Sequence, residues 1–379
     1  MPPPIKKIYG IIMKTTLLWI LILFIFISID VLPLPRFAIK LGDRCSNCHY
    51  NPTGGLIRNL DGWYYGKNVL SRISSKDTDF KMSPKISDNI SIGIDYRTQF
   101  LYSQQKNRTD FQSMSGAVYT NLALSNKINI LGKYDFVTRI WEGYGIAQIF
   151  PNNSYLKVGV FTPNFGIRID DHTAYTRGGN FGLLFSQKAY QGLIYNPYYT
   201  EAGIEVGILT DKLLFATASV GSNLLSNQTL SKDPTYTFNL QITPSIDQFN
   251  FLFGGTYASA KIPQAVQMYG GFLGIGYDEF SLLGEFDLAN DLLAPDQKSN
   301  FLMIETTYGI MTGLELIIRY DRMDSNTQIK NDEISQLIVG FELQPYSFIE
   351  IRPQYRLVND SVNPNIKNDS FVLQFHFWY

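Results

Sequence analysis

Ile90-Ser91-Ile92-Gly93-Ile94-Asp95-Tyr96-Arg97-Thr98-Gln99-Phe100-Leu101-Tyr102 is a ribbon with two different faces. Side chains alternate across a strand, so Ile90, Ile92, Ile94, Tyr96, Phe100 and Tyr102 share one side. Ser91, Gly93, Asp95, Arg97 and Gln99 share the other. The same split recurs downstream. Ile128, Ile130, Tyr134, Phe136 and Ile140 oppose Asn129, Lys133, Asp135 and Arg139. Leu314, Leu316, Ile318 and Tyr320 oppose Glu315, Arg319 and Asp321, and Ile349, Ile351, Tyr355 and Leu357 oppose Glu350, Arg352, Gln354 and Arg356.

A soluble β-sandwich also alternates, because one face of each sheet packs on a core. Three features favour a membrane barrel instead. The strands are long, roughly 9–12 residues each, and they persist from about residue 88 to the end with few helical patches. Tight turns at Ser125-Asn126, Tyr277-Asp278 and Pro345-Tyr346 alternate with longer polar loops at 104–112, 222–233, 290–298 and 358–368. Short turns on one side and long loops on the other mark outer-membrane barrels. The chain also ends in an alternating aromatic strand, with Phe371, Leu373, Phe375, Phe377 and Tyr379 facing away from Gln374 and His376. The expected fold class is therefore all-β, a transmembrane antiparallel β-barrel of about sixteen strands with fourteen as the alternative. Residues 162–200 do not parse into strands.

Composition agrees. Of 379 residues, 45% are hydrophobic, 17% are charged and 14% are aromatic, with a formal net charge of −1. High aromatic content suits strands and interfacial girdles. The balanced charge offers no basic face for nucleic acid, so none is expected as a partner. Lys6, Lys7 and Lys14 precede an apolar run from Leu17 to Ile29, the pattern of a secretory signal over residues 1–33. The alternative is an uncleaved anchor, since no A-x-A site follows, and Met13 is an alternative start. Either way the remainder is expected to be exported, with the barrel in the bacterial outer membrane and in contact with its lipid.

Both cysteines lie in one motif, Cys45-Ser46-Asn47-Cys48-His49. C-x-x-C-H is the attachment sequence for c-type haem. Two thiols add to the two porphyrin vinyl groups, and the adjacent imidazole reaches the iron. A C-x-x-C pair also serves zinc or thiol redox chemistry. The first lacks four ligands here and the second lacks a βαβ setting, so one haem c is the expected cofactor. Three histidines exist in all. His376, on the polar face of the last strand, and Met82, the next methionine after the motif, are the candidates for the sixth iron ligand; for His376 the reading as a lumen-lining polar residue is preferred. Trp63, Tyr64, Tyr65 and Leu70 could pack on the porphyrin or form ordinary core. Residues 34–86 make a segment small for a free-standing haem fold, which suggests a plug in the mouth of a barrel spanning 87–379.

Asp170, Asp171 and His172 form a second candidate group that could bind Fe(II) or another cation. The blander reading, an inserted loop held by Arg–Asp pairs that braces or narrows the pore, is preferred. Gly271, Gly274 and Gly276 have the wrong spacing for a nucleotide fingerprint. No catalytic triad or carboxylate pair stands out.

Together these parts resemble the outer-membrane monohaem cytochrome–porin fusions of iron-oxidising bacteria. The resemblance is carried by Pro35-Arg36-Phe37-Ala38, Gly42 and Cys45-x-x-Cys48-His49 followed by the barrel. Where family members commonly have Arg-Gln-Thr-Gly, this chain has Ile39-Lys40-Leu41-Gly42, and Asn51-Pro52-Thr53-Gly54-Gly55 and Arg58-Asn59 also differ from the family pattern. The resemblance implies electron transfer across the outer membrane. Extracellular Fe(II) would be a candidate donor, making the protein an Fe(II) oxidase, and a periplasmic cytochrome or other soluble electron carrier would be the partner. The rival expectation is a diffusion porin, or the porin partner of a multihaem conduit, in which the haem is auxiliary.

Overall fold

The computed structural model describes residues 36–379 apart from 56, 76–82, 169–170, 172, 180–191, 194, 196–198, 211–212, 224–232, 263, 362–363 and 366–368. The expected signal segment, Met82, Asp170 and His172 lie outside the described residues.

Sixteen antiparallel strands are present among the described residues. The first eight are β1 (Ile90–Ser103), β2 (Arg108–Ser125), β3 (Ile128–Asp135), β4 (Ile140–Ala147), β5 (Tyr155–Phe161), β6 (Glu201–Leu209), β7 (Leu214–Asn223) and β8 (Thr235–Ile242). Strand β8 resumes briefly at Ser245–Ile246 after a break at Thr243-Pro244, where proline has no N–H to offer the ladder. The rest are β9 (Phe249–Ile262), β10 (Gln264–Tyr277), β11 (Phe280–Asn290), β12 (Lys298–Met311), β13 (Leu314–Asp324), β14 (Glu333–Tyr346), β15 (Ile349–Asp360) and β16 (Ser370–Trp378). Each strand pairs with its sequence neighbour, and β1 pairs with β16 from Asp95↔Trp378 to Ser103↔Ser370. The sheet closes on itself, with sixteen strands rather than fourteen.

Its polarity is inside out. Ile94, Val118, Phe253, Leu273 and Ile304 point outward and lie exposed, Leu273 at 47%. Glu205, Asp287 and Asp321 point inward and have no exposed surface at all. A sandwich would bury the first set and solvate the second, so that alternative is excluded. The exposed apolar belt needs a lipid surround, and Phe249, Tyr277, Phe280 and Tyr308 add aromatic side chains near one rim.

That rim carries the tight turns, including Asp278-Glu279 and Met311 to Leu314. The turn expected at Pro345-Tyr346 falls at Ser347-Phe348, because β14 and β15 stay paired up to Tyr346↔Ile349. Similarly, β2 absorbs most of the expected 104–112 loop, pairing from Arg108↔Ser103 onward.

Three short helices fill the lumen at the tight-turn rim: α1 (Arg36–Leu41), α2 (Cys45–Cys48) and α3 (Leu60–Asn68). They bury against the wall on several sides. Ile39 of α1 packs on Leu252, Phe272, Leu283 and Met303, an apolar patch inside the barrel. Arg36 and Lys40 form ion pairs with Glu342 and Glu315. Ile57 packs on the far wall with Leu131, Tyr144 and Ile146. Trp63 of α3 joins Phe348 and Trp378. Gly66 permits this docking, since a Cβ there would fall 1.9 Å from the Trp378 ring. The Ser347 hydroxyl donates to the Lys67 carbonyl at 2.6 Å, and the Arg72 amide donates to the Gln344 carbonyl at 2.7 Å.

The described part of 162–200 enters from the opposite rim. Phe165, Tyr175, Leu193, Tyr195 and Tyr199 bury against Leu101, Met268, Phe301 and Val372 of the inner wall. Two insertions thus meet in one lumen.

If the belt around Leu273 faces acyl chains, Leu273→Arg should destabilise the barrel by about 2–4 kcal/mol, the cost of an arginine at mid-bilayer depth. Urea unfolding in phospholipid vesicles measures this; an unchanged midpoint would argue against a lipid-facing position.

Candidate functional site

Helix α2 is a single turn that puts Cys45 and Cys48 on one side, and the His49 amide closes it onto the Cys45 carbonyl at 2.8 Å. The chain then doubles back. His49 bridges Arg58 in an antiparallel pair, and the Asn59 amide donates to the Cys48 carbonyl at 3.0 Å. Inside the loop, Asn51 Nδ2 donates to the Gly54 carbonyl at 2.7 Å and Thr53 Oγ1 to Asn51 Oδ1 at 3.1 Å. Asn59 serves twice. Its Oδ1 caps α3 by accepting from the Gly62 amide at 3.0 Å, and its Nδ2 donates to the Asn47 carbonyl at 2.9 Å. Two glycines let the parts touch. A Cβ on Gly62 would sit 2.1 Å from the Cys48 carbonyl oxygen, and one on Gly55, where φ is +69°, would strike the Arg168 guanidinium. Asn51, Thr53 and Asn59 thus brace the motif through local hydrogen bonds.

Cys45, Cys48 and His49 border one lumen cavity of about 280 Å³, close to the lower end of the roughly 300–1,000 Å³ typical of small-molecule sites. Tyr65 and Leu70 also line it. Trp63 and Tyr64 do not: Trp63 is held in the docking cluster with Phe348, and Tyr64 is exposed. Eight arginines and four carboxylates border the cavity, although Arg36, Arg97, Arg319 and Arg352 are already paired with Glu342, Asp95, Asp321 and Glu350. Such a lining suits a ligand bearing carboxylates.

Neither cysteine is in a disulfide. Cys45 touches the cavity, but the wall around it leaves few directions open to water, and burial pushes its thiol up to about 12. Cys48 is raised too, first by burial and then by Asp43. A redox-active C-x-x-C pair needs a depressed thiol, so that alternative loses support. With two thiols on one turn, an adjacent imidazole, a shared cavity and arginines for propionates, the residues present fit a covalently attached haem.

His376 lines the same cavity, but both its ring nitrogens are engaged. Nε2 lies 2.8 Å from Asp95 Oδ2 and Nδ1 lies 3.1 Å from Glu350 Oε2. Each ring nitrogen thus faces a carboxylate of the wall. In this arrangement His376 is held to the lumen wall between β1 and β15. Asp171 meets a similar end. Its Oδ2 accepts from Arg319 at 2.8 Å and its Oδ1 from Thr173 Oγ1 at 2.6 Å, while Arg319 also binds Asp321 at 2.8 Å. No cluster of three metal-binding side chains occurs among the described residues. The carboxylate that was a candidate metal ligand holds the inserted loop to the wall, which is the Arg–Asp bracing expected on the blander reading. Arg177 ties the same loop to Glu285 with contacts of 2.8 and 3.0 Å and to the Ile167 carbonyl.

Met114 also borders the cavity. Motif reasoning passed over it because it lies far from the cysteines and on the wrong parity of its strand.

No family model matches the chain, and no curated protein matches it. The fold is similar to solved outer-membrane proteins. OprB of Pseudomonas putida aligns with a TM-score of 0.59 over 82% of this chain and 99% of its own, at 9% identity. OmpT of Vibrio cholerae aligns at 0.54 over 78% and 99%, at 11% identity. The outer membrane channel DcaP of Acinetobacter baumannii aligns at 0.53 over 76% and 97%, at 9% identity. At these identities the likeness is one of fold: this chain has the architecture of an outer-membrane porin.

Two outcomes follow from the geometry. Arg177→Ala leaves Glu285 buried without its cation, a loss of about 3–5 kcal/mol; the inserted loop should loosen and raise single-channel current in planar bilayers. An unaltered current would show that Arg177 does not hold the lumen shut. In protein prepared without a cofactor, alkylation of Cys45 by iodoacetamide at pH 8 should be at least about tenfold slower folded than in urea, because only the thiolate reacts. Equal rates would contradict the raised thiol.

Proposed function

We propose that the protein is a porin-fold barrel whose lumen houses one covalently bound haem c and serves electron transfer across the outer membrane. One observation carries this reading: Cys45, Cys48 and His49 border a single cavity enclosed by the barrel, not the exterior. Cys45 and Cys48 would hold the group through thioethers, His49 would ligate its iron, and arginines such as Arg58 and Arg168 would meet its propionates. When bound there, haem supplies a one-electron couple whose potential the protein sets through ligation and burial. The chain's own part is positional. Gly55 and Gly62 admit the close packing of the motif, α1 anchors it to the wall, and the two insertions occupy part of the lumen. A periplasmic cytochrome or other soluble carrier on one side, and extracellular Fe(II) on the other, are the partners that the family resemblance implies.

The second reading is a diffusion channel. The fold comparisons favour it, since one of the similar structures is described as an outer membrane channel, and the charged inner wall suits polar solutes. What speaks against free diffusion is the state of that wall, where Glu205, Asp287 and Asp321 have no exposed surface.

Outer-membrane fractions should show c-type bands in a reduced-minus-oxidised spectrum and a haem-staining band on denaturing gels, both lost in the Cys45→Ala, Cys48→Ala variant. Liposomes bearing the wild type should swell slowly in sugars. Absent bands together with rapid swelling that the double variant retains would replace the haem reading by the channel. Bands that ferrous iron fails to reduce would remove Fe(II) as donor and keep the conduit.

A further inference from the structure

We infer that Arg356, on the inner face of β15, forms the centre of a binding site for a carboxylate from outside the chain. Arg356 is 4% exposed and borders the lumen cavity. The wall pairs Arg319 with Asp321 and Asp171, and Arg352 with Glu350. Arg356 lacks such a mate. It forms no ion pair among the described residues, its buried Nε has no hydrogen-bond partner there, and its Nη2 donates to the Gln354 amide oxygen at 3.3 Å. Asp171 and Asp321, the carboxylates whose field reaches it, are both hydrogen-bonded to Arg319.

The strand register adds two neutral donors. Arg356 pairs with Ser370 of β16, so the two side chains stand side by side on the inner wall. Ser370 is 1% exposed, and its Oγ has no hydrogen-bond partner among the described residues either. Gln354 lies two positions along β15 on the same face and also borders the cavity. With its Oε1 turned to the guanidinium, its Nε2 is a further donor. A water molecule could satisfy the hydroxyl, but it brings no charge to the arginine. Buried cations are tolerated when paired and hydrogen-bonded, and a carboxylate meets both needs. Its two oxygens match the planar guanidinium fork and keep lone pairs for the hydroxyl and the amide. That carboxylate has two possible sources, a small solute acid in the lumen or a propionate of haem bound there. The site itself stands without the haem reading.

The test is calorimetric titration of the detergent-solubilised full chain with sodium succinate, against sodium chloride at matched ionic strength. It is run on the wild type and on the Cys45→Ala, Cys48→Ala variant, which cannot hold haem through thioethers. Succinate should bind at least one of them, and Arg356→Gln in that background should weaken binding about tenfold or more, as loss of a charge-assisted pair implies. Binding to both proteins identifies a solute site. Binding confined to the cysteine-free variant, with haem present in the wild type, assigns the site to a propionate. Succinate bound by neither protein, or bound equally well after Arg356→Gln, would overturn the inference. A wild type without haem that still binds succinate through Arg356 would remove the haem reading and keep the site. Should Arg356→Gln fail to assemble, Ser370→Ala decides: several-fold weaker binding supports the site, and unchanged affinity overturns it.

Discussion

Closure of β1 onto β16 is the constraint on which the rest depends. In a bilayer no backbone N–H or C=O can go unpaired, and an open sheet would leave two edges of them. Nine residue pairs from Asp95↔Trp378 to Ser103↔Ser370 remove those edges. The same seam has a second effect. It brings His376, Trp378 and Tyr379, the last residues of the chain, beside Arg97, Arg58 and Trp63 near its start. The Arg58 guanidinium stacks on the Trp378 ring at 3.9 Å. The terminal strand therefore closes the barrel and forms part of the wall against which the cysteine-bearing segment docks.

Closing the barrel with apolar side chains outward forces charge inward, and filling the lumen then buries that charge. A buried ion is tolerated when it is paired and hydrogen-bonded, and strongly destabilising when its partner is lost. The inner wall follows this rule. Lys157 and Glu205 meet at 2.6 Å with neither exposed, and Tyr155 donates to the same carboxylate at 2.8 Å. Arg319 is shared between Asp171 on the inserted loop and Asp321 on the wall. These pairs hold the insertions in place more specifically than apolar contacts would, because each works only in one register. They also explain how a porin architecture can hold ionic side chains with no exposed surface on its inner wall.

Much of the fold was legible because period-two alternation survives in nearly every strand. Ile90 to Phe100 has its apolar side outward and its polar side inward, as read, while Leu101 turns an apolar side chain into the lumen, and the terminal aromatic strand closes the ring. What escaped was whatever breaks the alternation. Met114 is invisible to a parity rule because it is the residue that violates it, although a slip of the pattern between Gln112 and Ala117 could have marked the bulge in the β1–β2 register. The stretch 162–200 gave no strands because its described part makes none; its apolar side chains serve the lumen and follow no period. At the candidate site the motif was readable, while the contacts around it were not. His376 was correctly placed on an inward face, but its two carboxylate partners, Asp95 and Glu350, come from β1 and β15 and are apparent only in three dimensions. Asn51 and Asn59 looked like departures from a pattern, and they make the local hydrogen bonds that shape the motif.

The cysteine-bearing segment has no core of its own. Ile39 is buried by β9, β10, β11 and β12, Arg36 is paired from β14, and Trp63 is covered by the β14–β15 turn and the chain end. Helices of six, four and nine residues are too short to persist alone in water. The segment can therefore acquire its structure only after those strands have come together. This ordering bears on the cofactor. Once docked, Cys45 borders the lumen cavity and burial raises its thiol, which slows chemistry at that sulfur in the finished barrel. If the thiols carry haem, attachment must come while the segment is still unfolded, and docking then follows with the group in place. The close contacts at Gly55 and Gly62 acquire a reason on this view. The motif must be compact enough to enter a lumen whose dimensions the sixteen strands have already set.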